Sequence, residues 1–151
     1  MKIEIRKALI TDLDAIVRFQ VEMAWETEQI KLNINTVIKG VEAVLNNQNL
    51  GNYWVAVVMN DLVGSLLTTY EWSDWRNGTV LWIQSVYVDR QFRKQGVYGM
   101  LYSHVKSLVA TDQKLKGIRL YVDESNNGAQ EVYVRLGMNG EHYRVFEWMK
   151  E

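Results

Sequence analysis

Cysteine and proline are both absent from the 151 residues. Without cysteine there is no disulfide, no thiolate zinc site and no cysteine nucleophile. Histidine occurs only at His104 and His142. That is too few imidazoles for a multi-histidine metal centre, and no metal is expected. No apolar run is long enough to cross a bilayer. The start, MKIEIRKALITD, has no apolar signal-type core and already alternates like a strand. Neither sign of charge dominates: 17 Lys and Arg face 18 Asp and Glu, for a net charge of -1. Nothing global points to nucleic acid or to an anionic membrane surface. The expectation is a cytoplasmic protein.

What is present fits one domain, residues 1–151, with one sizeable core. Hydrophobic residues make up 48% and charged residues 23%, as in soluble globular proteins. Six Trp and eight Tyr are many for this length. Aromatics can build core or a binding groove, and exposed ones allow a homodimer.

Hydrophobic periodicity sets the element order. IEIRKA reads as a first strand. Thr11 with Asp14 resembles a capping box, opening a helix with Ile16, Phe19, Gln20 and Met23 on one face. NINTVIKGVEAVL reads as a second helix with Val37, Ile38, Val41 and Leu45 inward. NYWVAVVMNDLVGSLLTTYEW is two strands around an Asn60–Asp61 turn. NGTVLWIQSVYV is a third long strand after an Asn-Gly turn signal. The clearest helix places Val97, Met100, Leu101, His104, Val105, Leu108 and Val109 at helical spacing. GIRLYV is a short strand, SNNGAQEVYVRLGM a helix ending near Gly137, and EHYRVFEWM a final strand. The order β-α-α-β-β-β-α-β-α-β predicts an α/β (α+β) fold, a mixed, mostly antiparallel central sheet with helices on both faces.

Between the third long strand and its helix lies FRKQGVYGML. A strand running into a basic, glycine-containing loop and then a helix makes an anion site. The first helical N–H groups lack partners, and the helix dipole favours negative charge there. Arg93 and Lys94 add positive charge, and Gly96 lets backbone approach closely. G-x-x-x-x-G-K-[ST] is absent, so this is not a P-loop; G-x-G-x-x-G is absent too, so the dinucleotide fingerprint is missing. On spacing alone, a basic turn capping a core helix remains open beside the anion site.

The stretch VYVDRQFRKQGVYGMLY resembles motif A of the GNAT superfamily of acyl-CoA-dependent N-acyltransferases. That motif has Arg or Gln, two residues, Gly, one residue, then Gly or Ala. Arg93, Gly96 and the position of Tyr98 align with it. NNGAQEVYVRLGM resembles the second family signature through Asn126, Ala129, Tyr133 and Gly137–Met138. The resemblance covers most of the chain and implies acetyl-CoA or coenzyme A as cofactor. Backbone groups of Val86, Tyr87 and Val88 would pair with the pantetheine arm. The amides of Lys94, Gln95, Gly96, Val97, Tyr98, Gly99 and Met100 would hold the pyrophosphate, with Arg93, Asn126, Ala129 and Tyr133 completing the cofactor site. Tyr98 departs from the usual Gly or Ala, so its ring is expected to project away from the phosphates.

Acyl transfer from a thioester to an amine requires a neutral amine, a stabilised carbonyl oxygen and a protonated leaving thiolate. Tyr133 stands at the family position for the general acid; the alternative is a helix tyrosine packed on the sheet. No carboxylate lies on VLWIQSVYV. Gln84 is open to a substrate or water hydrogen bond, or to a role as a satisfied buried amide. Candidates for a small-molecule or peptide amine acceptor are Glu26 and Glu28, with Glu22, after the first helix. Glu71, Trp72 and Asp74 join them near Trp75 and Arg76, where carboxylates beside indole faces suit a cation. The other readings are a solvated acidic helix end and an exposed hairpin tip. His104 is expected as a hydrogen-bonded core histidine. A coenzyme A-binding or sensing module without catalysis, or a protein-interaction module using the tryptophan hairpin, are the alternatives to the enzyme.

Overall fold

Alternation in IEIRKA gives strand β1 (Glu4–Lys7), which pairs antiparallel with β2 (Asn52–Val58). The computed structural model describes residues 1–151. Backbone contacts divide the chain into two compact units, Met1–Arg119 and Leu120–Glu151. The first unit adds helices α1 (Leu13–Glu28) and α2 (Ile34–Asn46), strands β3 (Asp61–Ser73) and β4 (Gly78–Val88), helix α3 (Val97–Thr111) and strand β5 (Leu115–Arg119). The five strands lie in the order β1-β2-β3-β4-β5. Every junction is antiparallel except β4–β5, which is parallel and is bridged by α3 as its crossover.

The two faces of the sheet follow from the period-2 rule. Tyr53 and Val55 of β2 and Leu67 of β3 share a cluster with Ile16, Val17 and Val41 of α1 and α2. Trp54, between them, turns to the other face and meets His104 of α3. Helices therefore cover both faces, as predicted. The expected α2 stripe of Val37, Ile38, Val41 and Leu45 packs on that cluster. On α3, Val97, Leu101 and Val105 are buried together with Tyr102, whereas Met100 is exposed.

Strand β4 carries one residue too many. Leu67 pairs with Gln84 and Ser65 with Tyr87, so Ser85 and Val86 oppose Leu66 alone. Ser85 sits in the left-handed region at φ 55, the conformation of the first residue in a G1-type bulge. Without the extra residue Tyr87 would face α3. With it, Tyr87 returns to the α1 face and stacks on Phe19, ring centroids 5.0 Å apart.

Three local expectations are corrected. Thr11 does not cap α1; a 3-10 turn over Ile10–Asp12 precedes the helix, and Asp12 is the N-cap residue. The carboxylate of Asp12 accepts the Leu9 amide at 2.7 Å and both terminal nitrogens of Arg6 at 2.7 and 3.1 Å. The β2–β3 turn is centred on Met59 and Asn60, both left-handed, because Val58 pairs with Asp61. The His104 ring packs tilted against Trp54, and its buried Nε2 has no hydrogen-bond partner.

In the second unit the regular element is α4 (Asn127–Arg135). Gly137 is left-handed at φ 91, and its N–H reaches the Val134 carbonyl while the Met138 N–H reaches that of Tyr133, both at 3.0 Å. This is a Schellman cap, with Gly137 at C′ as the sequence predicts. The strand expected over EHYRVFEWM does not form. Its apolar residues come as adjacent pairs, Val145–Phe146 and Trp148–Met149, so no single face alternates.

The Arg6–Asp12 pair ties β1 to the start of α1. Burial pushes the Asp12 carboxyl up, but the Arg6 guanidinium and the Leu9 amide outweigh it and hold the carboxyl below its ordinary value. A depressed carboxylate stabilises the fold above its unfolded value and stops doing so as pH falls through the folded one. Asp12→Asn is expected to cost about 1.5–3 kcal/mol at neutral pH. The gap to the parent should close below about pH 4. Urea denaturation of both proteins from neutral to acid pH checks this, and a pH-independent gap would remove the charge from the explanation.

Candidate functional site

The loop after β4 is built by two local devices. The Asp89 carboxylate accepts the Gln91 amide at 3.0 Å and caps a 3-10 turn over Arg90–Phe92. The chain then turns through two left-handed residues, Lys94 at φ 61 and Gly96 at φ 83. Gly96 is the N-cap of α3, and the helical ladder starts with the Met100 amide on the Gly96 carbonyl at 3.1 Å. The amides of Val97, Tyr98 and Gly99 precede that bond and have no carbonyl one turn back within the helix. A Cβ placed on Gly96 or Gly99 would meet nothing within 4 Å. The loop thus offers open backbone at the positive end of a 15-residue helix, which fits an anionic phosphate group.

The side chain of Arg93 is engaged on the α1 side. Its Nε donates to the Val88 carbonyl at 2.8 Å and its Nη2 to Glu26 Oε2 at 2.7 Å, with the guanidinium 5.3 Å from the Tyr87 ring centroid. Arg90 Nε donates to Glu26 Oε1 at 2.8 Å. The Tyr87 hydroxyl donates to Glu22 at 2.7 Å and lies 3.3 Å from Glu26. Desolvation pushes the Glu26 carboxyl up, but Arg93 and Arg90 together hold it below the usual carboxylate range. Burial, and then the neighbouring Glu22 carboxylate, push the Tyr87 hydroxyl well up, so it stays protonated and donating. Glu26 is therefore neutralised within the fold and is not left for an acceptor ammonium. Glu28 is exposed at the end of α1. A cleft of about 370 Å³ lies beside this cluster, lined by Arg18, Glu22, Trp25, Glu26, Tyr87 and Arg90 among others.

Tyr98 and Tyr102 form a tilted pair on α3, ring centroids 6.3 Å apart, and the Tyr98 hydroxyl is shielded from solvent. Gln95 donates to the Gln91 carbonyl at 2.9 Å, which closes the loop on itself. Val86 and Val88 are half-buried at the end of β4.

On the α1/α2 face of the sheet, towards the β3–β4 tip, polar side chains replace the apolar cluster. Glu71 accepts Trp82 Nε1 at 2.8 Å and pairs with Arg119 of β5. Gln84 Nε2 donates to Thr69 Oγ1 at 2.8 Å. The Trp82 N–H and the Arg119 guanidinium hold the Glu71 carboxyl below its ordinary value. Glu71 is thus an anchored anion rather than a base. Trp72 follows it in the strand and points to the opposite face, 65% exposed. Asp74 accepts the Trp75 amide in the turn. The structure therefore puts Glu71 on the opposite face from Trp72, while Asp74 stays beside Trp75 in the turn. It gives Glu71 two partners, Trp82 and Arg119, that sequence reasoning missed. The Arg90 and Arg93 partners of Glu26 had a faint signal: Glu22 and Glu26 are like charges one turn apart, which favours cations close by.

In the second unit, the Asn126 side chain accepts the Ala129 amide at 3.1 Å and caps α4. Tyr133 follows near the end of that helix, and burial raises its pKa.

These features meet in a known family. The acetyltransferase (GNAT) family model matches residues 11–138, and the chain belongs to that family. A structure described as a possible acetyltransferase from Clostridium difficile 630 is 40% identical, with a TM-score of 0.92 over 100% of this chain and 99% of that one. An aminoglycoside acetyltransferase from an uncultured soil metagenomic sample, in complex with sisomicin, shares the fold at 17% identity, with a TM-score of 0.77 over 99% of this chain and 96% of that one. AAC(6')-Iy, in complex with the bisubstrate analogue CoA-S-monomethyl-acetylneamine, is 16% identical, with a TM-score of 0.78 over 99% of both chains. No curated protein matches. The family uses acetyl-CoA, and the mixed, mostly antiparallel sheet with helices on both faces is its fold. No helix is long and apolar enough to cross a membrane.

The two left-handed loop residues make opposite expectations. Gly96→Ala should cost about 1 kcal/mol, because a Cβ is disfavoured there, and Lys94→Gly should recover a similar amount. Melting temperatures should move in opposite directions, by about 2–4 °C each. Thermal melts of the two variants check this; a shift of the same sign in both would contradict the loop geometry.

Proposed function

We propose that this chain transfers an acetyl group from acetyl-CoA to an amine of a small molecule or peptide, by direct attack within a single domain over residues 1–151. The observation that carries the reading is the open, amide-bearing loop at the start of α3, at the position of the family's first signature. The amides from Lys94 to Gly99 would hold the pyrophosphate, that of Met100 being taken by the Gly96 carbonyl, and the backbone of Val86, Tyr87 and Val88 the pantetheine arm. One lone pair of the Val88 carbonyl already receives Arg93. When bound, acetyl-CoA supplies the activated acyl group.

Tyr133 is proposed as general acid, holding a proton on its hydroxyl for the leaving thiolate. A tyrosine holds its proton at neutral pH without help, and burial raises the Tyr133 pKa further, which keeps the proton in place but makes its donation less favourable. The acceptor is proposed to lie on the sheet face that carries Glu71, Thr69 and Gln84. There Glu71, already paired with Arg119 and Trp82, would orient the acceptor through hydrogen bonds rather than neutralise an ammonium, and the amine proton would pass to solvent. A second reading, a coenzyme A-binding module without catalysis, is favoured by the lack of a carboxylate on β4, where Gln84 is committed to Thr69.

Titration calorimetry with acetyl-CoA and CoA should show saturable binding; none at high concentration would remove both readings. Tyr133→Phe is expected to lower turnover roughly 100-fold with acetyl-CoA affinity nearly intact. Unchanged turnover would reject the acid assignment. Thiol release across a broad amine panel decides between enzyme and binding module. Tyr98→Gly should keep CoA affinity and lower the melting temperature, since the ring pairs with Tyr102. A large loss of affinity would mean that the tyrosine contacts the cofactor.

A further inference from the structure

Glu26 belongs to neither the loop nor the sheet, yet its two oxygens hold two arginines of the loop region. Arg90 Nε lies 2.8 Å from Oε1 and Arg93 Nη2 lies 2.7 Å from Oε2. Only 16% of the Glu26 side chain is exposed. The Tyr87 hydroxyl, brought to this face by the β4 bulge, closes the third side at 3.3 Å. Arg93 is meanwhile held at its other end by the Val88 carbonyl. The next residue, Lys94, takes a left-handed conformation that a lysine does not choose unaided. A guanidinium fixed at both ends immediately before a strained residue is a strut.

We propose that Glu26 is a positioning residue for coenzyme A: through Arg93 and Arg90 it fixes the loop whose amides receive the pyrophosphate, without touching the cofactor. The inference rests on the cofactor site proposed above. It differs from what motif A alone leads one to expect, an arginine whose charge faces the phosphates. The two roles of Arg93 give opposite outcomes when Glu26 is neutralised. As a strut, Arg93 loses its anchor, the loop loosens and cofactor affinity falls. As a phosphate ligand, Arg93 is released from a competing carboxylate and affinity holds or rises.

The experiment is titration calorimetry of acetyl-CoA into the full-length parent, Glu26→Gln, Arg93→Gln and the double variant. Amide hydrogen exchange over residues 94–100 is followed in the same four proteins. Glu26→Gln keeps the side-chain shape, and Arg93→Gln approaches the same contact from the other partner, so one poorly folded variant does not decide the matter. The expected result is a fall in affinity of about tenfold in each single variant. The double variant should be no worse than the weaker single. Exchange should be faster at 94–100, with α2 and β2 protected as in the parent. Unchanged or tighter binding in Glu26→Gln overturns the proposal, as does unchanged exchange in the loop. A parent that binds no acetyl-CoA removes the cofactor site itself, and with it Glu26's role towards coenzyme A. Faster loop exchange in Glu26→Gln would then still show the strut, so the two failures are told apart.

Discussion

The extra residue in β4 is the constraint on which the candidate site depends. A strand alternates its side chains strictly, so the only way to bring Tyr87 to the same face as Gln84 is to break the alternation between them. Ser85 does so at the cost of a left-handed backbone. The return is a hydroxyl and a ring under the end of α1. Phe19 stacks on the ring, Glu22 takes the hydroxyl, and Glu26 finds two arginines in the segment that follows. The core side and the loop side of the molecule meet at that one strand end.

Charge in this unit is mostly spent on architecture. Arg6 with Asp12, Glu26 with Arg90 and Arg93, and Glu71 with Arg119 are each carboxylates held by guanidiniums across different elements. Each joins segments that hydrophobic packing alone would leave free to slide. Pairs of this kind are modest net stabilisers, yet removing one partner of a shielded pair is costly because it strands the other. The loop amides, by contrast, are given no side-chain carboxylate. The positive helix end adds to that setting and suits a ligand with several negative charges.

Much of this was legible in the sequence. The helix faces of α2 and α3 follow from apolar spacing, and the glycine stop of α4 from its position after the last periodic residue. The loop was legible as an anion site only in company with the second signature, since a basic turn before a helix is common. The bulge was not legible: Ser85 carries no residue-level signal, and bulges are set by the packing of both faces together. The engagement of Glu26 was not legible either, because its partners lie more than sixty positions away. The separation of Glu71 from Trp72 was legible in principle. Neighbours in a strand point to opposite faces, and grouping them by sequence proximity ignored that rule. The missing last strand was legible as well, in the adjacent apolar pairs that favour neither face.

The Schellman cap of α4 has a consequence for how variants of this chain would be classified. The carbonyl that the Met138 amide captures is that of Tyr133, and the turn that brings it there needs a left-handed residue at Gly137. The backbone of the proposed acid is thus secured by a helix terminator four residues downstream. A side chain at Gly137 would meet nothing within 4 Å, so its whole effect would pass through the left-handed turn to the Tyr133 backbone. In this fold a map of sensitivity to mutation and a map of contact with the reacting atoms are different maps.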